Sequence, residues 1–334
     1  MLLALTMGLA GEVAAQGMRP APGQEPGDYM REIGNTRVDA NNVGVWRQVR
    51  QGVQGYASIP DARAGTLVQP EGERWRALYN GPLKQWGGYA LGAMIAILAV
   101  FFLVRGRIRI HAGPSGRTIL RFDALDRFAH WLTAVSFILL ALSGLNITFG
   151  RYVLLPLLGP SAFATLTMWG KVMHNYVGFA FIAGIVLMLV LWVKDNIPEG
   201  HDLTWIAMGG GLLGGSAHPP SRKFNAGQKL IFWSVILGGG AISYTGLGLM
   251  FPVGWFGTQD LQLSVLVHAG TAIGLITIVI AHIYIGTMGM EGAFDAMGTG
   301  YVDENWAREH HGIWVQETLG EPAPPSGHGQ AKHA

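Results

Sequence analysis

Residues 263–288 read LSVLVHAGTAIGLITIVIAHIYIGTM, and this stretch decides how the rest of the chain is understood. A bilayer core is crossed by about 20 mostly apolar residues in a helix, and this run suffices. It nevertheless carries two histidines, His268 and His282, fourteen residues apart. At about 100° and 1.5 Å per residue, they fall about 40° apart around the helix and about 21 Å apart in depth. Ionisable side chains in a span are costly, about 2.5–3.5 kcal/mol when fully charged, and they mark function. One helix therefore presents two imidazoles on one side, at two depths.

The composition agrees with a membrane setting. Of 334 residues, 50% are hydrophobic and only 13% are charged, too apolar for an ordinary soluble domain. The net charge of +2 is uninformative by itself. Membrane lipid is the expected surrounding, and no nucleic-acid partner is expected. Cysteine is absent. That excludes disulfides, haem attachment through C-x-x-C-H, and cysteine-held iron–sulfur clusters or zinc in this chain.

Outward from the opening stretch, the chain divides by composition. Residues 1–15 hold an apolar run ending in Val13-Ala14-Ala15, a small-residue cleavage signal, and read as a signal peptide. Residues 16–86 are polar and rich in Gly, Pro and Arg, with a turn signal at Asn80-Gly81-Pro82; they read as an extracytoplasmic segment. Residues 88–104 form a first, extra span. It is followed by Arg105, Arg107, Arg109, Arg117, Arg121 and Arg127, which mark the cytoplasmic side. Further spans are expected at residues 130–149, 172–193, 230–251 and 264–288, with outside loops at 151–170 and 252–262. The cytoplasmic loop 195–229 contains an apolar but short piece, 203–215, read as an interfacial turn. Residues 291–334 read as a cytoplasmic tail with a disordered end. The expected fold is an all-α membrane protein with five transmembrane helices and an extracytoplasmic N-terminal segment.

This topology gives each histidine in a span a depth. His130 and His282 fall near the cytoplasmic face, and His174 and His268 near the outside, so the four sort into two pairs. A pair of imidazoles across a helical bundle suits bis-histidine ligation of haem b. Zinc would want four ligands at one depth, and a proton relay would want Asp or Glu; these spans contain neither. Residues 121–290 therefore read as a diheme cytochrome b four-helix domain. Gly144, Gly178, Gly246, Gly248 and Gly274 are candidates for the clearance a macrocycle needs. Arg127 and Lys171 each stand three residues before a ligand, on its helix face, where each can meet a haem propionate or simply snorkel. His310 and His311 fit a solvated or interfacial role better than ligation. His111, His201 and His218 fall in cytoplasmic loops.

The chain from about residue 121 to 317 resembles the gamma, or cytochrome b, subunit of membrane-bound respiratory formate dehydrogenase. The resemblance is carried by R-F-D-x-x-D-R-x-x-H-W at 121–131, K-x-x-H-x-x-x-G at 171–178, N-I-P at 196–198, K-F-N-A-G-Q-K at 223–229, H-A at 268–269, H-I-Y at 282–284 and W-A-x-x-H-H at 306–311. It implies two haem b groups, their iron held by His130/His282 and His174/His268. It also implies a quinone, menaquinone or ubiquinone, beside Asn225, Gly227 and Gln228 on the cytoplasmic side. The amides can hydrogen-bond quinone oxygens and Gly227 permits close approach; Asn225 would also serve as a helix N-cap. The segments S-I-P at 58–60 and W-R-x-L-x-N-G-P at 75–82 are similar to a longer branch of the family.

The functional expectation is an electron-transfer and quinone-reducing subunit in a bacterial cytoplasmic (inner) membrane, its N-terminal segment periplasmic and its C-terminus cytoplasmic. The implied partners are an iron–sulfur beta subunit and a molybdenum or tungsten catalytic alpha subunit, with no formate-oxidising residue in this chain. The competing readings are the cytochrome b subunit of another respiratory dehydrogenase, such as hydrogenase, and a non-redox membrane anchor.

Overall fold

The structure is a computed structural model that describes residues 55–56, 66–67, 70–211, 219–253 and 256–320. The expected signal peptide, the S-I-P motif, His218 and the end of the tail lie outside the described residues. Two compact units divide the chain, Met1–Glu73 and Arg74–Ala334. In the first, strand β1 (Gly55–Tyr56) pairs antiparallel with β2 (Thr66–Leu67).

The second unit is built on five helices long and apolar enough to cross a membrane. They are α1 (Arg74–Arg105), α2 (Ala124–Val153), α3 (Leu155–Trp192), α5 (Ala226–Met250) and α6 (Thr258–Tyr284). A short helix, α4 (Gly200–Ala207), lies between α3 and α5. α2 packs along α3, α5 along α6, and α1 along α6. Phe137, Phe181, Ile185, Ile242, Leu275 and Ile276 join four of these helices in one buried cluster. Gly184 lets α3 approach α2 closely, because a Cβ there would stand 2.5 Å from Thr133 Oγ1.

The helices are longer than their apolar runs. α1 begins well before residue 88 because Asn80-Gly81-Pro82, expected as a turn, is absorbed into a π-helical turn at Tyr79–Leu83. The missing N–H of Pro82 is tolerated where the backbone ladder is already widened. α3 begins at Leu155, so most of the expected loop 151–170 is helical. Its first turn is set off by a kink at Gly159, whose φ of 74° only glycine adopts readily, directly before Pro160. α6 likewise starts at Thr258 rather than after residue 262.

Capping boxes fix two helix starts at the same end of the bundle. Asp123 accepts from the Asp126 N–H at 2.8 Å to open α2, and Asn225 accepts from the Gln228 N–H at 2.9 Å to open α5. Asp126 also accepts the Trp192 indole N–H at 2.6 Å, tying the start of α2 to the end of α3.

That end is closed by a cap in which the tail folds back on the arginine-rich linker. Strand β3 (Thr118–Leu120) pairs antiparallel with β4 (Tyr301–Asp303), and Ile108 bridges to Met290. α7 (Asp295–Gly298), α8 (Glu304–His310) and α9 (Gly312–Leu319) complete it. Glu309 accepts from the amides of His111 and Ala112 at 3.1 and 3.0 Å. Asp303 accepts from the Ser115 amide and hydroxyl and from the amides opening α8. Burial opposes ionisation of Asp303, but these donors outweigh it and hold its carboxyl below the usual range. Phe122, Trp192, Phe224, Phe232, Trp306 and Val315 form the apolar heart of the cap.

His311 corrects the expectation of a solvated role. It is 1% exposed, and its Nδ1 donates to the Arg222 carbonyl at 2.7 Å. The tail that carries it is packed protein as far as residue 320, because β4 and Glu309 supply partners for a linker that has no regular structure of its own. Burial first, and the neighbouring Arg121 cation second, push the His311 imidazole well below its ordinary range. The unfolded chain then binds the extra proton, so this contribution to stability is present above about pH 6.5 and is lost progressively below it, at roughly 1 kcal/mol per pH unit. Limited proteolysis of the tail should accelerate between pH 7 and pH 5.5. His311→Gln should flatten that dependence, and an unchanged slope would show that another group controls the cap.

Candidate haem site

The structure brings His130 of α2 to His282 of α6, with ring centroids 6.3 Å apart, and His174 of α3 to His268 of α6, at 6.2 Å. A metal–imidazole bond of about 2 Å, with each ring centre about 1 Å behind its nitrogen, puts two trans imidazoles roughly 6 Å apart. Both pairs have the separation that one six-coordinate iron between two rings requires. The planes in each pair are inclined by 57° and 59°. One pair lies under the cap; the other lies toward the opposite, open end of the bundle.

At the open-end pair, neighbouring helices orient the imidazoles. Ser143 Oγ on α2 lies 2.8 Å from His174 Nδ1, and Thr245 Oγ1 on α5 lies 3.1 Å from His268 Nδ1. Each hydroxyl already donates backward along its own helix, Ser143 to the Leu139 carbonyl at 2.8 Å and Thr245 to the Ala241 carbonyl at 2.8 Å. The hydroxyl oxygen is therefore left to accept the Nδ1–H, which assigns the tautomer with a free Nε2 lone pair. That is the arrangement by which an outer partner prepares a metal-ligating histidine. At the capped pair, His130 Nδ1 is buried without a hydrogen-bond partner, and the Trp131 ring stands edge-on to His130 at 5.2 Å.

A cavity of about 610 Å³ opens around the His174/His268 pair, within the range of about 300–1,000 Å³ for sites that take cofactor-sized molecules. Gly144, Gly178 and Gly246 line it, as expected. A Cβ at Gly246 would stand 3.1 Å from the His268 ring, and one at Gly144 would stand 3.6 Å from the His174 ring. The other two glycines serve differently. Gly248 makes room for Phe256, and Gly274 has no heavy atom within 4 Å of where its Cβ would be. The ring spacing, the tautomer and the cavity all fit a b-type haem.

The two cations expected near the ligands diverge. Lys171 is exposed and lines the cavity beside His174. Arg127 instead donates from Nη1 to the Gly298 carbonyl at 3.0 Å, which commits it to the cap.

The loop at residues 225–228 lies at the capped end. Its capping box occupies the Asn225 and Gln228 amide oxygens, since Gln228 Oε1 also accepts from the Asn225 N–H at 3.0 Å. Arg121 reaches the same Gln228 oxygen at 3.3 Å and the Lys223 carbonyl at 2.5 Å. Both side-chain NH2 groups remain as donors. Gly227 is held against Trp205, whose ring would lie 2.9 Å from a Cβ there. Behind the loop, buried Lys229 bonds Asp202 at 2.8 Å and the Ile197 carbonyl at 3.0 Å. Burial opposes the Asp202 charge, but Lys229 and the Glu199 amide prevail and hold its carboxyl below the usual range.

Ser143, Thr245, Arg121, Trp205 and the Lys229–Asp202 pair were not evident as site residues from sequence. For the two hydroxyls a signal exists: each immediately precedes a cavity glycine, as Ser143-Gly144 and Thr245-Gly246.

Gly246→Val should force the His268 ring from its place and remove about half of the b-type absorbance per chain, since a ligand displaced from one pair leaves the other intact. Gly274→Ala is the matched control. Equal spectra for the two variants would show that His268 is not a ligand.

A family model described as prokaryotic cytochrome b561 matches residues 121–300. The nitrate-inducible formate dehydrogenase cytochrome b556(Fdn) subunit of Escherichia coli (strain K12) is 32% identical over 207 residues, which are 61% of this chain and 93% of that protein. The formate dehydrogenase cytochrome b556(fdo) subunit of the same organism is 28% identical over 203 residues, 60% of this chain and 93% of that protein. The formate dehydrogenase cytochrome b556 subunit of Haemophilus influenzae is 26% identical over 206 residues, covering 60% of this chain and 84% of its own length. With both histidine pairs inside the matched residues, the chain belongs to the prokaryotic cytochrome b561 family.

Proposed function

We propose that this chain is the membrane cytochrome b subunit of a formate dehydrogenase, with the capped end in the cytoplasm and the open end outside. The observation that carries the reading is the pair of histidine couples, each at ligation distance and both sharing α6. The similarity to formate dehydrogenase cytochrome b556 subunits supplies the partner class. Formate would be oxidised at a molybdenum or tungsten centre in an alpha subunit, and electrons would enter from an iron–sulfur beta subunit at the open end.

A b haem held at each pair supplies a one-electron relay, so the two together span the membrane from His174/His268 to His130/His282. The chain's own residues do the rest. Ser143 and Thr245 keep the outer imidazoles in the ligating tautomer. The apolar walls of Phe137, Phe181 and Ile276 exclude water from the path between the pairs. At the capped end, the Asn225 and Gln228 NH2 groups donate to the oxygens of a quinone, menaquinone or ubiquinone. Arg121 pins the Gln228 oxygen so that its NH2 is presented outward. Gly227 lets the Trp205 ring pack against the loop and hold it in place. Two electrons and two protons convert quinone to quinol, and uptake of the protons from the cytoplasmic side adds to the membrane potential. The arginines at 105, 107 and 109 support this orientation through the positive-inside rule.

His282→Ala in the intact complex is the test. It should leave one of two b-type haems and abolish quinone reduction, while formate oxidation with an artificial dye acceptor continues. Retention of both haems would refute the pairing. Absence of any b-type band in the wild-type protein would refute the haem reading altogether. A purified complex lacking a molybdenum or tungsten chain would refute the partner assignment.

A further inference from the structure

The first membrane helix lies outside the residues matched by the family model, which begin at residue 121. It is nonetheless fitted to the ligand helix. Gly87 sits against Ile273, where a Cβ would come within 2.8 Å of Cδ1, and Leu83 lies over Gly270, two residues beyond His268. At the other end, Phe101 and Phe102 meet Tyr284 edge-on at 6.3 and 6.4 Å. α1 therefore runs the length of α6, from beside one ligand to beside the other.

The π-helical turn at Tyr79–Leu83 breaks the regular rotation of the helix just where it passes His268. A π turn adds a residue to the turn and so re-aims the side chains before it, a device found at functional sites. Here it brings Tyr79 into the wall of the cavity that His174 and His268 share. Lys84, the first residue after the turn, reaches back with its Nζ 4.9 Å above the Tyr79 ring and 5.8 Å from the Tyr152 ring of α2. Its ammonium donates to Asn80 Oδ1 at 3.0 Å. Lys171 lines the same cavity from α3. Among the described residues, neither lysine has a carboxylate within 4.0 Å, although Arg117, Lys223, Lys229 and Arg308 of the cap each do. The open-end cavity is thus mainly apolar, with Lys171 and Tyr79 in its wall and the Lys84 ammonium over the Tyr79 ring. That chemistry suits a flat apolar ligand carrying carboxylates at one edge.

We propose that α1 is a working wall of the outer haem site: Tyr79 closes the cavity, and Lys84, together with Lys171, binds the propionate carboxylates of the group held between His174 and His268. This rests on the reading of that pair as haem ligands. A cation close to the macrocycle disfavours the ferric state, so Lys84 raises the potential of this haem and leaves the other unaffected.

The experiment is a potentiometric titration of both b-type bands in the complete complex, for wild type, Lys84→Met, Lys84→Arg and Tyr79→Leu. Lys84→Met should lower only the outer midpoint, changing its oxidised-to-reduced ratio at fixed potential about fivefold, as expected for one partly screened charge. Lys84→Arg should restore it, and Tyr79→Leu should shift the same midpoint by opening the wall. Loss of the outer haem from Lys84→Met that Lys84→Arg repairs also supports the proposal, whereas equal loss from both counts against it. Two wild-type midpoints that none of the three variants moves would overturn it. A wild-type complex with no b-type band would instead overturn the haem reading on which it stands.

Discussion

Two imidazoles on one face of an apolar helix set the terms for the whole bundle. Neither can be left bare in hydrocarbon, and each needs a partner at its own depth. α6 therefore recruits two different helices, α2 at the capped end through His130 and α3 at the open end through His174. Because α2 and α3 are consecutive and antiparallel, one starts where the other stops, and His130 and His174 each fall at the start of their own apolar stretch. α5 contributes no ligand, yet it is the neighbour that holds His268 through Thr245. The chain order of the helices and the order of the paired histidines are consequences of one another.

The two pairs are supported in different ways. At the open end the support is local: a hydroxyl fixes each ring nitrogen, and the adjacent glycine opens the space beside it. At the capped end it comes from outside the bundle. Arg121, 5% exposed, stands among the rings of Phe122, Trp306 and Trp314 at 5.0, 5.3 and 6.0 Å and binds the loop that begins α5. Burial lowers its guanidinium to about 9, still charged at neutral pH. One side chain thereby links linker, tail and Gln228. The tail is therefore part of the floor under the His130/His282 pair.

The bundle was legible from sequence because two strong periodic signals coincide there. Apolar runs of membrane length place the spans, arginine asymmetry orders them, and together they give each histidine a depth that the ring distances match. What escaped were features with no periodic signal. The cap depends on Glu309 accepting amides from residues 111 and 112, a contact across almost two hundred positions that composition cannot reveal. Its polar sequence reads as solvated tail, and only the β3–β4 pairing makes a buried group of His311. The helical extensions of α1 and α3 escaped for another reason. Asn80-Gly81-Pro82 and Gly159-Pro160 are ordinary stop signals, but here neighbouring helices retain the chain through a π turn in one case and a kink in the other.

Charge is handled differently at the two ends. In the cap, carboxylates meet cations or amide donors: Glu304 with Arg117 and Arg308, Asp202 with Lys229, Asp126 with Lys223, and Asp303 with a set of N–H and O–H groups. Such pairs fasten segments together around the loop, where the buried Arg121 cation stands against the Gln228 amide oxygen. At the open end, among the described residues, Lys171 in the cavity wall and Lys84 over Tyr79 have no carboxylate within 4.0 Å. An unpaired ammonium near a membrane span is tolerated when it reaches water or when a ligand brings the missing anion. Lys84 turns back over Tyr79, toward the cavity wall. The extra helix thus places a second ammonium group behind Tyr79, beside a cavity whose wall already holds Lys171 of α3.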